Sequence, residues 1–154
     1  MRGYDYLSFI GQNAFFANAE LRFPLIDAMA TPIGVLGGVR ATLFAGLGGA
    51  YFQGQPFKFY TKNATLERPI VGFDTVTEQV TYGPAVPVDG LRLVDGRASY
   101  GISLATMAIG FPIHFDWSWR TLGNQQWEDV KFHLDGGSAA FRKPKFTMWI
   151  GYDW

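Results

Sequence analysis

Hydrophobic and polar residues alternate one by one in five stretches of this chain. In residues 16–25, the odd positions are apolar, whereas Asn18, Glu20 and Arg22 fall on the even positions. An extended strand places these polar side chains on one face, whereas a helix would scatter them around its surface. The other four stretches are residues 39–52, 97–107, 111–120 and 145–154. The pattern predicts an all-β fold, an antiparallel meander of about five long strands. It predicts no helix beyond a single turn near residues 26–30.

The connections between these stretches differ greatly in length. Residues 26–38 form a modest link, and the turn at Ala108 is tight, but residues 53–96 and 121–144 are long. We expect a small hairpin in the first long connection, with one strand near residues 76–82. Long connections are unusual in a compact soluble domain. Tight turns at one end and long loops at the other are typical of outer-membrane barrels, and a tilted ten-residue strand spans about 25 Å of membrane.

The amino-acid composition argues against several classes of function. Thirteen basic residues balance thirteen acidic ones, which argues against a nucleic-acid partner. There is no cysteine, so disulfides and thiolate metal sites are excluded. No uninterrupted apolar stretch is long enough for a membrane-spanning helix, so any membrane contact must come from strands. His114 and His133 lack metal-ligand spacing, and no nucleophile motif is present. We therefore expect no enzyme activity, no metal and no cofactor.

Short motifs at both ends of the chain resemble one known family. Arg2-Gly3-Tyr4 resembles the Val-Arg-Gly-Phe/Tyr motif of the BamA/TamA superfamily of outer-membrane insertases and transporters. The strands of that family resemble residues 18–24, 37–51, 97–120 and 146–154 of this chain. The chain departs from the pattern at three positions. Met1 replaces Val, Tyr4 replaces the commoner Phe, and Gly46 stands where a second acidic residue is usual.

The resemblance implies a role for each motif. Arg2, Gly3 and Tyr4 would form the tip of a loop that folds back into the barrel lumen, with Arg2 held by Glu20. A guanidinium in a narrow lumen is only partly hydrated and needs a hydrogen-bonded carboxylate. Asp116 is a candidate second counter-charge. At the other end, a terminal-strand sorting signal would comprise Ile150, Gly151, Tyr152 and Trp154.

The resemblance also implies an organisation and a function. Closed barrels need at least about eight strands, so residues 1–154 are expected to be the C-terminal third of a larger barrel. Residues 1–13 would carry the lumen loop, and residues 53–96 and 121–144 would lie outside the cell. The location would be the bacterial outer membrane, and the function outer-membrane protein assembly or translocation. The expected partners are outer-membrane lipid, the upstream part of the barrel, unfolded outer-membrane proteins and assembly-machine subunits.

Two alternatives remain open. One is a passive barrel that anchors a fused domain or serves as a surface antigen, because a fold does not fix a function. The other is a soluble lipocalin-like barrel that binds an apolar ligand. In a soluble barrel, the apolar stripes would be enclosed in the core. In a membrane barrel, they would face lipid, with the polar stripes lining the interior.

Overall fold

The computed structural model describes residues 1–5, 8–32, 34–108 and 110–151. Strands account for most of its regular structure, and two short helices and one 3₁₀ turn lie late in the chain. In chain order, the elements are β1 (Asn13–Thr31), β2 (Gly34–Tyr51), β3 (Tyr60–Thr61), β4 (Thr65–Glu67), β5 (Ile70–Asp74), β6 (Gln79–Tyr82), β7 (Val86–Val88), β8 (Arg92–Leu93), β9 (Gly96–Ala108), β10 (Phe111–Thr121), α1 (Gln125–Lys131), a 3₁₀ turn (His133–Asp135), α2 (Gly137–Phe141) and β11 (Lys145–Ile150).

The five longest pairing strands form one antiparallel sheet in the order β1-β2-β9-β10-β11. Each strand pairs with the next member of this series, so the predicted all-β meander of five strands is confirmed. One row of partners crosses the whole sheet near its middle and consists of Leu21, Leu43, Ile102, Trp117 and Phe146. The edge strands are β1 and β11.

The first two strands are longer than the alternation indicated. The helical turn predicted near residues 26–30 is wrong, as is the modest link over 26–38, because β1 continues to Thr31 and β2 begins at Gly34. The register between these strands shifts between Pro24 and Ile26, and Ile26 then pairs with Val39. One extra residue at a bulge exchanges the two faces of a strand. The simple alternation therefore breaks at Leu25, although the strand does not.

The long connection between β2 and β9 folds into a hairpin arm. Three strand pairs follow one another along it: β3 with β8, β4 with β7 and β5 with β6. The small hairpin predicted near residues 76–82 is present, with β6 as its second strand. Residues 53–96 therefore contain three short strand pairs.

The prediction of no helix is wrong for the connection between β10 and β11. Asn124 caps α1, because its side-chain oxygen accepts a hydrogen bond of 3.0 Å from the Trp127 backbone N–H. The two helices span seven and five residues, which is too short for a 3.6-residue hydrophobic period to appear. The indole of Trp127 donates to the Leu93 carbonyl at 2.7 Å, which fastens the helices to the hairpin arm.

Alternation and register give the sheet two different faces. We call one the apolar face; it carries Leu21, Phe23, Leu43, Leu47, Tyr100, Ile102, Phe115, Trp117, Phe146 and Met148. We call the other the polar face; it carries Asn18, Glu20, Arg22, Thr42, Phe44, Arg97, Ser99, Ser103, His114, Asp116, Ser118, Arg120 and Trp149. The burial of the two faces is the reverse of that in a soluble protein with an apolar core, because polar side chains are the more buried ones here. Ser103 and Asp116 are buried, whereas Leu21 is 63% exposed and Met148 58% exposed.

Candidate functional site

The first residues of the chain lie against the polar face of the sheet; we call residues 1–5 the N-terminal segment. Gly3 has a φ of +85°, and a Cβ at this position would lie 3.0 Å from Ser118 Oγ. Glycine suits this position because other residues rarely adopt a positive φ. A Cβ at Gly46 would lie 3.4 Å from Met1 Cγ. Because Gly46 on β2 has no side chain, the N-terminal segment can occupy the space beside it.

Arg2 contacts acidic side chains from two strands that are not neighbours. Its Nη2 atom lies 3.3 Å from Glu20 Oε1 on β1, and its Nε atom lies 3.8 Å from Asp116 Oδ2 on β10. The guanidinium carbon lies 4.6 Å from the centre of the Phe44 ring. The structure thus brings Arg2 to Glu20 and also to Asp116. Both contacts compensate a guanidinium that has lost part of its hydration.

The carboxylate of Glu20 is also held by its own strand. It accepts a hydrogen bond of 2.6 Å from Arg22 Nη2 and one of 2.7 Å from Asn18 Nδ2. Arg22 is the more exposed of the two arginines that contact Glu20, with 58% of its side chain exposed against 23% for Arg2. Glu20 therefore keeps charged and polar partners whether or not Arg2 is present.

Asp116 depends more strongly on the N-terminal segment. Its Oδ2 atom accepts a hydrogen bond of 3.0 Å from the indole of Trp149, and that indole stacks on His114 with 3.7 Å between ring centres. Its Oδ1 atom is buried and has no hydrogen-bond partner among the described residues. A buried carboxylate with few partners gains more from one nearby cation than an exposed one does.

An aromatic ring beneath Arg2 was not predicted from the sequence. Phe44 is buried against Gly101, where a Cβ would lie 2.5 Å from the Phe44 ring and 2.1 Å from the Trp117 carbonyl oxygen. Arg2 covers the same ring, so Phe44 contacts both β9 and the N-terminal segment. The sequence feature that could have indicated this contact is an aromatic residue at a position that the alternation assigns to the polar face. Trp149 on β11 is a second residue of this kind.

Tyr4 and Asp5 fasten the other end of the N-terminal segment. The Tyr4 hydroxyl donates to the Ala98 carbonyl at 3.0 Å, and its ring packs edge-on against Phe9 and Phe141. Burial raises the pKa of Tyr4 to about 12. Asp5 forms an ion pair with Lys145, and this hydrogen-bonded contact lowers the pKa of the Asp5 carboxyl. The segment is therefore held by β9, α2 and β11.

The predicted sorting signal is only partly described. Ile150 is exposed at the end of β11, and the backbone N–H of Gly151 donates to the Pro112 carbonyl at 3.1 Å. The Gly151 carbonyl accepts a hydrogen bond of 3.1 Å from His114 Nε2. Tyr152 and Trp154 lie outside the described residues.

The arrangement offers ionic, hydrogen-bonded and stacking contacts. Within the described ranges, no group of three or more histidines or acidic residues is placed to hold a metal ion. The helices in these ranges have neither the length nor the hydropathy of a membrane-spanning segment. Comparison with known proteins finds no matching family model, curated protein or solved structure. What the site can do therefore has to be argued from its own contacts.

Proposed function

We propose that this chain forms part of a β-barrel of the BamA/TamA type in the bacterial outer membrane. Its apolar face would contact lipid, and its polar face would line the interior. The observation that carries the proposal is the uncovered apolar face, where Leu21, Phe146 and Met148 are each more than half exposed. Soluble monomers rarely keep an apolar patch that spans a whole sheet. A lipid environment removes that penalty, because hydrocarbon chains then cover the side chains.

The proposal requires further strands. Closed outer-membrane barrels have at least about eight strands, and an open edge in lipid leaves backbone groups unpaired at several kcal/mol each. The edges of this sheet are β1 and β11. We propose that additional strands of the same barrel pair with both edges.

Within such a barrel, the N-terminal segment would act as a strut against the interior wall. Its Arg2-Gly3-Tyr4 sequence resembles the lumen-loop motif of the family, and its contacts with Glu20 and Asp116 support that role. The function proposed is assembly or translocation of outer-membrane proteins, in which the barrel serves as a scaffold. Lipid, unfolded outer-membrane proteins and assembly subunits would be its partners.

Membrane placement is tested by comparing Leu21→Arg with Leu66→Arg. Both leucines are highly exposed, but Leu21 lies near the middle of the sheet and Leu66 lies on the hairpin arm. In lipid vesicles, we expect Leu21→Arg to lower the free energy of unfolding by about 2–4 kcal/mol and Leu66→Arg to leave it nearly unchanged. The measurement is a urea titration followed by tryptophan fluorescence. Equal, small effects of both substitutions would show that Leu21 faces water and would overturn the membrane proposal.

The assembly function needs a separate experiment. Vesicles that contain the whole proposed barrel, with this chain as part of it, are expected to accelerate the folding of a urea-denatured outer-membrane barrel relative to empty vesicles. Insertion is checked first by resistance of the protein to carbonate extraction. Inserted protein that gives no acceleration would favour the passive anchor over the assembly role, while leaving the membrane placement intact.

A further inference from the structure

A cavity lies on the polar face, and Arg2 is not part of its lining. Its volume is about 380 Å³, and it is a cleft, partly open to solvent, that lies between the sheet, the N-terminal segment and the helical connection. Arg97 of β9 and Arg120 of β10 line it from the sheet, and Phe132 and Phe141 line it from the helical connection. Tyr4, Ser8 and Asp135 complete the polar part of its lining. Small-molecule sites in proteins have volumes of roughly 300–1,000 Å³, so the cavity is large enough for one.

The two arginines are diagonal neighbours in the sheet. Arg120 pairs with Ser99, which is two residues after Arg97 on the adjacent strand. Diagonal neighbours are about 7–8 Å apart, close enough for both side chains to reach one ligand. Both guanidiniums also lower the pKa of Tyr4, against the larger opposing effect of burial. The Tyr4 hydroxyl therefore lies within electrostatic reach of both charges.

Neither arginine has a carboxylate partner among the described residues. Nη1 of Arg97 donates to the carbonyls of Val94 and Gly96, at 3.3 and 2.9 Å. Nε of Arg120 donates to the Phe141 carbonyl at 3.1 Å, and its guanidinium lies 4.9 Å from the Phe141 ring centre. Two like charges in a partly dehydrated cavity repel each other, and carbonyls compensate them only in part. Both side chains line the cavity, so an acceptor that enters it meets their charge.

We infer that this cavity binds a small phosphate monoester with an aromatic or apolar organic part. A phosphate offers several acceptor oxygens and negative charge to the paired guanidiniums, whose planar forks suit that geometry. The rings of Phe132 and Phe141 are stacked with centres 4.2 Å apart and offer an apolar wall to the organic part. Asp135 is the acidic side chain in the lining, and its charge opposes the ligand.

The probe for the test is phenyl phosphate, with inorganic phosphate and phenol as comparisons. Binding to the full chain in detergent micelles is measured by titration calorimetry and by broadening of the phosphorus resonance. We expect phenyl phosphate to bind more tightly than inorganic phosphate, and phenol not to bind. Absence of phenyl phosphate binding would overturn the inference. Equal affinity for inorganic phosphate would overturn the assignment of an organic part.

Four substitutions separate this cavity from nonspecific binding. Arg97→Gln should weaken binding about tenfold or more, as expected for a lost charge-assisted hydrogen bond, and Arg97→Lys should retain part of it. Asp135→Asn should strengthen binding about threefold, because it removes a repulsive charge. Arg40→Gln is the control, since Arg40 lies outside this cavity. Equal losses for Arg97→Gln and Arg40→Gln, or no gain for Asp135→Asn, would count against the site.

Discussion

Replacing Arg2 by alanine removes the cation that two strands share. Arg2 contacts Glu20 at 3.3 Å and Asp116 at 3.8 Å, and its side chain is 23% exposed. Arg22→Ala is a matched control, because it also removes an arginine from Glu20 but one that is 58% exposed. The comparison holds the residue type and one acidic partner constant, and it varies the burial and the contact with Asp116.

The expected loss follows from these contacts. Breaking a buried ion pair on one side costs about 3–5 kcal/mol. Glu20 keeps Arg22 and Asn18 as partners, which reduces the loss, whereas Asp116 keeps only the Trp149 indole among its described hydrogen bonds. We therefore expect Arg2→Ala to lower the free energy of unfolding by about 2–3 kcal/mol. For the exposed pair, Arg22→Ala should cost about 0.5 kcal/mol.

The assay is equilibrium unfolding in urea of the full chain in detergent micelles, followed by tryptophan fluorescence. Arg2→Lys adds a third point, because a lysine keeps the charge but loses the planar fork. We expect it to fall between wild type and Arg2→Ala. If Arg2→Ala destabilises the protein no more than Arg22→Ala does, Arg2 is not a buried strut, and the argument from its contacts is wrong.

Three further predictions concern single positions. Gly101→Ala should lower the free energy of unfolding by about 1–3 kcal/mol, because the new Cβ would lie 2.1 Å from the Trp117 carbonyl oxygen. Gly72→Ala is the control and should have a smaller effect, because its new Cβ meets only ordinary contacts. Both variants are measured by urea titration. Glu128→Ala should lower the free energy of unfolding by about 3 kcal/mol, because this fully buried carboxylate forms an ion pair and binds the start of the helical connection. The substitution should also speed hydrogen exchange in residues 121–144, and unchanged protection of their amides would contradict this. The free energy of unfolding should fall as the pH rises from about 10 to about 12, because the Tyr4 phenol ionises at a lower pH in the unfolded state than in the folded state. Tyr4→Phe should lose that part of the pH dependence. Ionisation of the phenol is followed by ultraviolet absorbance.

The strands of this fold could be predicted because their alternation is long and regular. Residues 111–120 alternate without interruption and correspond closely to β10, Phe111–Thr121. The same reasoning failed at Leu25, because a bulge exchanges the faces and looks like the end of a strand in the sequence. It also failed for α1 and α2, since helices of seven and five residues are specified by caps and tertiary contacts more than by periodicity.

The candidate site, too, could be predicted from the sequence only in part. Glu20 could be suggested as the partner of Arg2, because its place on the polar stripe of the first strand and the family resemblance both pointed to it. The contributions of Phe44 and Trp149 depend on the register of strands that are far apart in the chain. That register is fixed by pairing between strands that long connections separate, so no local pattern reveals it. Two aromatic residues on a polar stripe were the only local indication.

The contacts of Arg2 also bear on the shape of the sheet. β1 and β10 are separated by β2 and β9, and neighbouring strands lie about 4.8 Å apart, so a flat sheet would hold their backbones about 14 Å from each other. A single guanidinium nevertheless contacts carboxylates from both strands. The two acidic side chains therefore converge above Phe44. Curvature of the sheet toward the polar face would favour this convergence and would turn the apolar face outward, as the proposed barrel with lipid outside and the N-terminal segment within requires.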